Sequence, residues 1–127
     1  MITREKAWKF AHEWLEAWNK HDINLIMKHY DDKIEFCSPV VQNVLGDPQG
    51  VVRGIGPLRD YFSKQLSKFS TLHFQLLDVF TSPQSVVLYY KINRGLLCTE
   101  VMLLNSEMKA TKVYANYDND NVGNRSS

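Results

Sequence analysis

Apolar positions in the first stretch of the chain recur with helical spacing. Between Arg4 and Asn19 they fall at Ala7, Phe10, Ala11, Trp14, Leu15 and Trp18, while Lys9, Glu13, Glu16 and Lys20 take the other side. Thr3 is a good N-cap, and Glu5 sits in the first turn, where its charge suits the helix dipole. Asn19-Lys20-His21-Asp22 interrupts the pattern. Asp22 can then cap a second, shorter helix that turns Ile23, Ile26, Met27 and Tyr30 inward. Asp31-Asp32 reads as a turn, and Lys33 to Cys37 alternates as a short strand that stops at Pro39. Residues 38–56 are rich in glycine and proline and predict a long loop with a brief strand near Val51-Val52. Gly56-Pro57 predicts the start of a third amphipathic helix carrying Leu58, Tyr61, Phe62, Leu66 and Phe69.

The period changes in the second half. Residues 71–81, 85–93, 96–105 and 108–117 read as strands joined closely enough for consecutive antiparallel hairpins. They exceed the usual length of about five or six residues, which predicts a strongly twisted, curved sheet. Helices first and an antiparallel meander after them indicate an α+β domain over residues 1–118. Residues 119–127 have almost nothing apolar to bury and predict a disordered tail. The strands are apolar on both faces, with Val86, Leu88, Tyr90 and Ile92 opposing Val87 and Tyr89. Cys98, Met102 and Leu104 likewise oppose Val101 and Leu103. A sheet with one wet face alternates more cleanly, so a second copy of the chain is expected to cover the outer face.

Composition narrows the function classes. The chain is 44% hydrophobic with a formal net charge of +1, and its charges are interspersed. Without a basic stripe, nucleic acid is not expected as a partner. No apolar run approaches the ~18 residues that span a bilayer, and the N-terminal residues lack a signal-like apolar core. Cys37 and Cys98 have no CxxC spacing and are expected reduced, in a cytoplasmic protein. His12, His21, His29 and His73 form no i,i+4 pair with an acid, so no metal is expected. Gly54-Ile55-Gly56 is not followed by the Lys of a phosphate loop, and nothing else in the sequence implies a cofactor.

Several stretches together resemble the nuclear transport factor 2-like superfamily, and within it the SnoaL-like proteins. They are "AWNKHDINLIMKHYDD", "FCSPV", "RGIGPLRDYFSKQL", "CTEVMLLN" and "KVYANYD". The resemblance implies a cone-shaped, cystatin-like roll: three N-terminal helices packed on a curved antiparallel sheet, with a mostly apolar pocket at the wide end. The family includes ketosteroid-type isomerases, polyketide cyclases, dehydratases, epoxide hydrolases and pure binding or scaffold proteins, so fold alone does not settle activity.

Residue by residue, the isomerase plan is incomplete here. Where family isomerases place an aspartate before the proline, this chain has Ser38, whose hydroxyl is no base without an activating neighbour. Where they place a first-helix tyrosine, it has Trp14. Only the acid on the penultimate strand is kept in kind, as Glu100. Facing inward between Cys98 and Met102, Glu100 would have a raised pKa and could donate a proton; at an edge or beside a cation it would be an ordinary carboxylate. Trp14, Trp18, Tyr30, Phe62, Tyr90, Cys98 and Met102 are the candidate pocket residues, although core packing explains aromatics at such positions equally well. Asp118 matches a carboxylate that family cyclases use, but it stands at the tail junction, where solvent is the simpler surrounding. The expectation is a small hydrophobic ligand, handled by Glu100 with help from Ser38, Tyr30 or Tyr90. The alternative is a non-catalytic dimeric binding or scaffold module.

Overall fold

Sixteen residues, Arg4–Asn19, form helix α1, capped by the Thr3 hydroxyl, which accepts from the Lys6 N–H. The computed structural model describes residues 1–118, leaving aside the Arg94 side chain; the expected tail, 119–127, lies outside the described residues. The short α2 (Ile23–Met27) is capped by Asp22. Strand β1 (Tyr30–Cys37) follows, then α3 (Pro39–Leu45), β2 (Val51–Arg53) and α4 (Ile55–Lys68). Four longer strands complete the chain: β3 (Phe74–Thr81), β4 (Ser85–Ile92), β5 (Leu96–Leu104) and β6 (Ala110–Tyr117).

The strands form one curved, unclosed sheet in the order β2-β1-β6-β5-β4-β3. This is the α+β roll expected, with two differences. The sheet is not wholly antiparallel, because β1 runs parallel to β6. A parallel neighbour needs a long crossover, and everything from α3 to β5 lies between these two strands. There are also four α-helices among the described residues rather than three. The predicted loop contains α3, in which Ser38 is the N-cap, Pro39 is the first helical residue and Gly46 closes the helix at φ 70°. Such a helix depends on its ends, since valine-rich sequence has little helical preference of its own.

The core lies between α1, α4 and the concave face of the sheet, where Trp14, Ile34, Leu58, Leu88, Met102 and Val113 are fully buried. The outer face carries one apolar row across every strand. Paired register runs Phe80–Val87–Val101–Tyr114–Cys37–Val51, with Phe80 53% and Tyr114 40% exposed. Polar rows flank it, Lys112–Glu35–Arg53 on one side and Thr99–Asn116 on the other. No described helix is long and apolar enough to cross a membrane.

Candidate functional site

Strand pairing builds the site. Tyr90 on β4, Cys98 on β5 and Tyr117 on β6 stand in one cross-strand row on the inner face. Glu100 is the next inward position of β5, diagonal to both tyrosines, a separation that long side chains span. The Tyr90 hydroxyl donates to Glu100 Oε2 at 2.6 Å. From the other side come Tyr30, at the start of β1, and Tyr61 of α4, both near enough for the Glu100 charge to raise their pKa values.

One phenol thus bonds the carboxyl and three more lie near enough to feel its charge, and no cation among the described residues acts on it. Burial raises the Glu100 pKa to about 7, against the opposing effect of the Tyr90 hydrogen bond. Burial, followed by the Glu100 charge, also raises Tyr30, Tyr61, Tyr90 and Tyr117, so these hydroxyls remain protonated donors. The same causes push the Cys98 thiol up, which removes it as a nucleophile at neutral pH. Glu100 is buried, keeping 5% of its surface. The arrangement can exchange one proton near neutrality and donate several hydrogen bonds, and it offers an anion no counter-charge.

Behind the carboxyl lies an aromatic wall. Trp14 meets Tyr90 edge-on at 5.2 Å and stacks on Phe74 at 5.5 Å. Trp18 meets Phe62 edge-on at 4.8 Å, and Phe62 in turn packs on Tyr30 at 5.5 Å. The structure therefore brings together Trp14, Trp18, Tyr30, Phe62, Tyr90, Cys98 and Glu100. Met102 shares the inner face of β5 but is fully buried core. Ser38 is buried at the N-cap of α3, its oxygen accepting from the Val40 N–H at 3.1 Å. Its hydroxyl also lies near Tyr117, whose pKa it lowers, so it bears on the site through that tyrosine.

One site residue, Tyr117, escaped the sequence reading as a functional candidate. Tyr117 shares the inward parity of Val113 and Ala115, a signal visible only once the register of β6 is known. Asp118 is exposed. His29 is half-buried against Phe10 rather than on a surface helix, with burial lowering its pKa. Among the described residues no cluster of three or more His, Cys, Asp or Glu side chains could hold a metal. A separate groove of about 570 Å³ runs between α1, α2 and the β5–β6 turn, over Phe10, Leu25 and Met108. Its rim mixes Lys6, Lys9 and Lys28 with Glu13 and Glu107, which favours no one ligand charge, and it lies away from Glu100.

The fold has many relatives of known structure. The SnoaL-like protein of unknown function from Burkholderia thailandensis is 32% identical, with a TM-score of 0.89 over 93% of this chain and 98% of that one. SalBIII, an epoxide hydrolase/cyclase-like enzyme of pyran ring formation in polyether salinomycin, is 15% identical, with a TM-score of 0.73 over 92% and 94%. TerC, crystallised with polyporic acid, is 14% identical, with a TM-score of 0.72 over 88% and 91%. At such identities the last two share the fold alone. No curated protein sequence matches the chain significantly. Residues 11–102 match the model of the SnoaL-like domain, and the chain belongs to that family.

Proposed function

We propose that the protein binds a small, uncharged hydrophobic molecule inside the cone and uses Glu100 as its proton donor. Once ionised, the same carboxylate can take a proton back, which suits isomerisation, dehydration or cyclisation of a carbonyl compound. The observation that carries this reading is a buried carboxyl with a pKa near 7, hydrogen-bonded to Tyr90 and without a cation. Carboxyls placed only for stability are exposed or paired with a cation. The polyporic acid crystallised with TerC and the epoxide hydrolase/cyclase-like character of SalBIII support use of this fold for small molecules. In the same reading the working form is a cytoplasmic homodimer joined through the apolar outer row of the sheet.

Native mass spectrometry of freshly purified protein tests the ligand. The expected result is a copurifying apolar molecule of low mass, whose turnover Glu100→Gln slows roughly 100-fold or more. A second reading, the non-catalytic dimeric module, is favoured by how completely the aromatic wall fills its space: Trp14 and Tyr90 are 0% and 1% exposed. That reading expects no copurifying ligand and no loss on Glu100→Gln.

A further inference from the structure

His29 is the last residue before β1, and two carbonyls of α2 fix its ring. Its Nδ1 lies 3.1 Å from the Leu25 carbonyl oxygen and 3.4 Å from that of Ile26. Carbonyls only accept, so Nδ1 carries the ring proton, and in the neutral imidazole Nε2 is left as an acceptor. Burial holds the pKa of the ring below its ordinary 6.5, outweighing those two carbonyls and the Glu13 charge, so the ring is neutral at physiological pH. The two nitrogens point away from each other across the ring. Among the described residues no hydrogen bond reaches Nε2.

The ring lines the groove of about 570 Å³ between α1, α2 and the β5–β6 turn. Its neighbours there are apolar: Phe10 meets it edge-on at 5.2 Å, and Leu25 and Met108 continue the floor. The turn is fastened beside it, since the Ala110 N–H donates to the His29 carbonyl at 2.8 Å. Met108 stands in that turn at φ 59°, a left-handed conformation that glycine would adopt without strain. What methionine supplies there is a flexible thioether over the groove. Strain of this kind concentrates where a ligand is held.

We infer that this groove is a second binding site, separate from Glu100, for an uncharged apolar molecule whose one N–H or O–H group donates to His29 Nε2. The apolar body rests on Phe10, Leu25 and Met108. A charged ligand gains little, because the rim mixes lysines with glutamates and Glu16 is already held by Lys20 at 2.7 Å. In solvent Nε2 accepts from water, and a ligand without a donor forfeits that bond.

Indole and benzofuran share a shape and differ by an N–H against an oxygen. Each is titrated into the full-length protein at about pH 7.5 and followed by NMR of the imidazole nitrogens and methionine methyl groups. Wild type should bind indole roughly fivefold or more tightly than benzofuran, with the His29 Nε2 and Met108 methyl signals moving together. His29→Phe should abolish the preference while leaving benzofuran affinity unchanged, and Met108→Ala should weaken binding of both. The nitrogen spectrum needs no variant: free wild type should show Nδ1 protonated and Nε2 bare, and a proton on Nε2 overturns the inference. So does equal binding of the two compounds, a preference that survives in His29→Phe, or failure of both to bind. Binding that shifts the Trp14 indole signal and leaves Met108 unmoved puts the ligand in the cone, and overturns this inference though not the Glu100 reading.

Discussion

Glu100 holds a proton more tightly in the folded protein than in the unfolded chain, since burial lifts its pKa from an ordinary 4.5 to about 7. The stability this confers is fully present below pH 4.5, is lost as pH rises to about 7, and changes no further above that. The loss is on the order of 3 kcal/mol. Glu100→Gln cannot ionise, so its stability relative to wild type should rise across this window. Chemical denaturation at intervals from pH 4 to pH 8 checks this; parallel profiles would mean that the carboxylate is solvated. The direction of Glu100 could not be read from sequence, because its strand is apolar on both faces and either parity fits the pattern. Tyr117 escaped for a related reason: its inward parity shows only when β6 is placed against β5, where it stands opposite Cys98.

Helix α1 was legible because its apolar stripe, its cap and its acidic first turn agree. α3 was not, because its body is valine-rich and its evidence lies at its ends, where Ser38-Pro39 also reads as a strand terminus. The segment after α3 is fixed by Gly50, at φ 63°, whose carbonyl accepts from the Ser38 N–H at 2.8 Å. A Cβ added there would stand 2.8 Å from the Ser38 carbonyl oxygen. Gly50→Ala therefore combines left-handed strain with a backbone clash, costing about 2 kcal/mol or more and lowering Tm by roughly 5–10 °C. Gly46→Ala, with nothing within 4 Å of its added Cβ, meets the strain alone and should cost less. Thermal melts of the two variants check the order. If Gly50→Ala melts no lower than Gly46→Ala, the close packing of this segment on Ser38 is not what fixes it.

At the scale of the molecule, the sheet separates two tasks. Its concave face carries the acid and the tyrosines, and its convex face carries the apolar row from Phe80 to Val51. Covering that row with a second copy should bury roughly 1,600 Å² in total. Sedimentation at micromolar concentration should then show twice the 14.8 kDa chain mass. Val101→Asp, in the middle of the row, should shift the species to monomer, while Lys9→Glu on the exposed side of α1 should not. A wild-type monomer under these conditions would remove the dimer from the account. Whether the concave face handles a proton or merely packs is decided at one carboxyl. Carbon-detected NMR titration of the Glu100 side chain reads its pKa directly. A value near 7 is expected, lowered again if a cation is introduced beside it. A value at or below about 4.5 would contradict it, because such a carboxylate would be solvated or paired and could not serve as the acid.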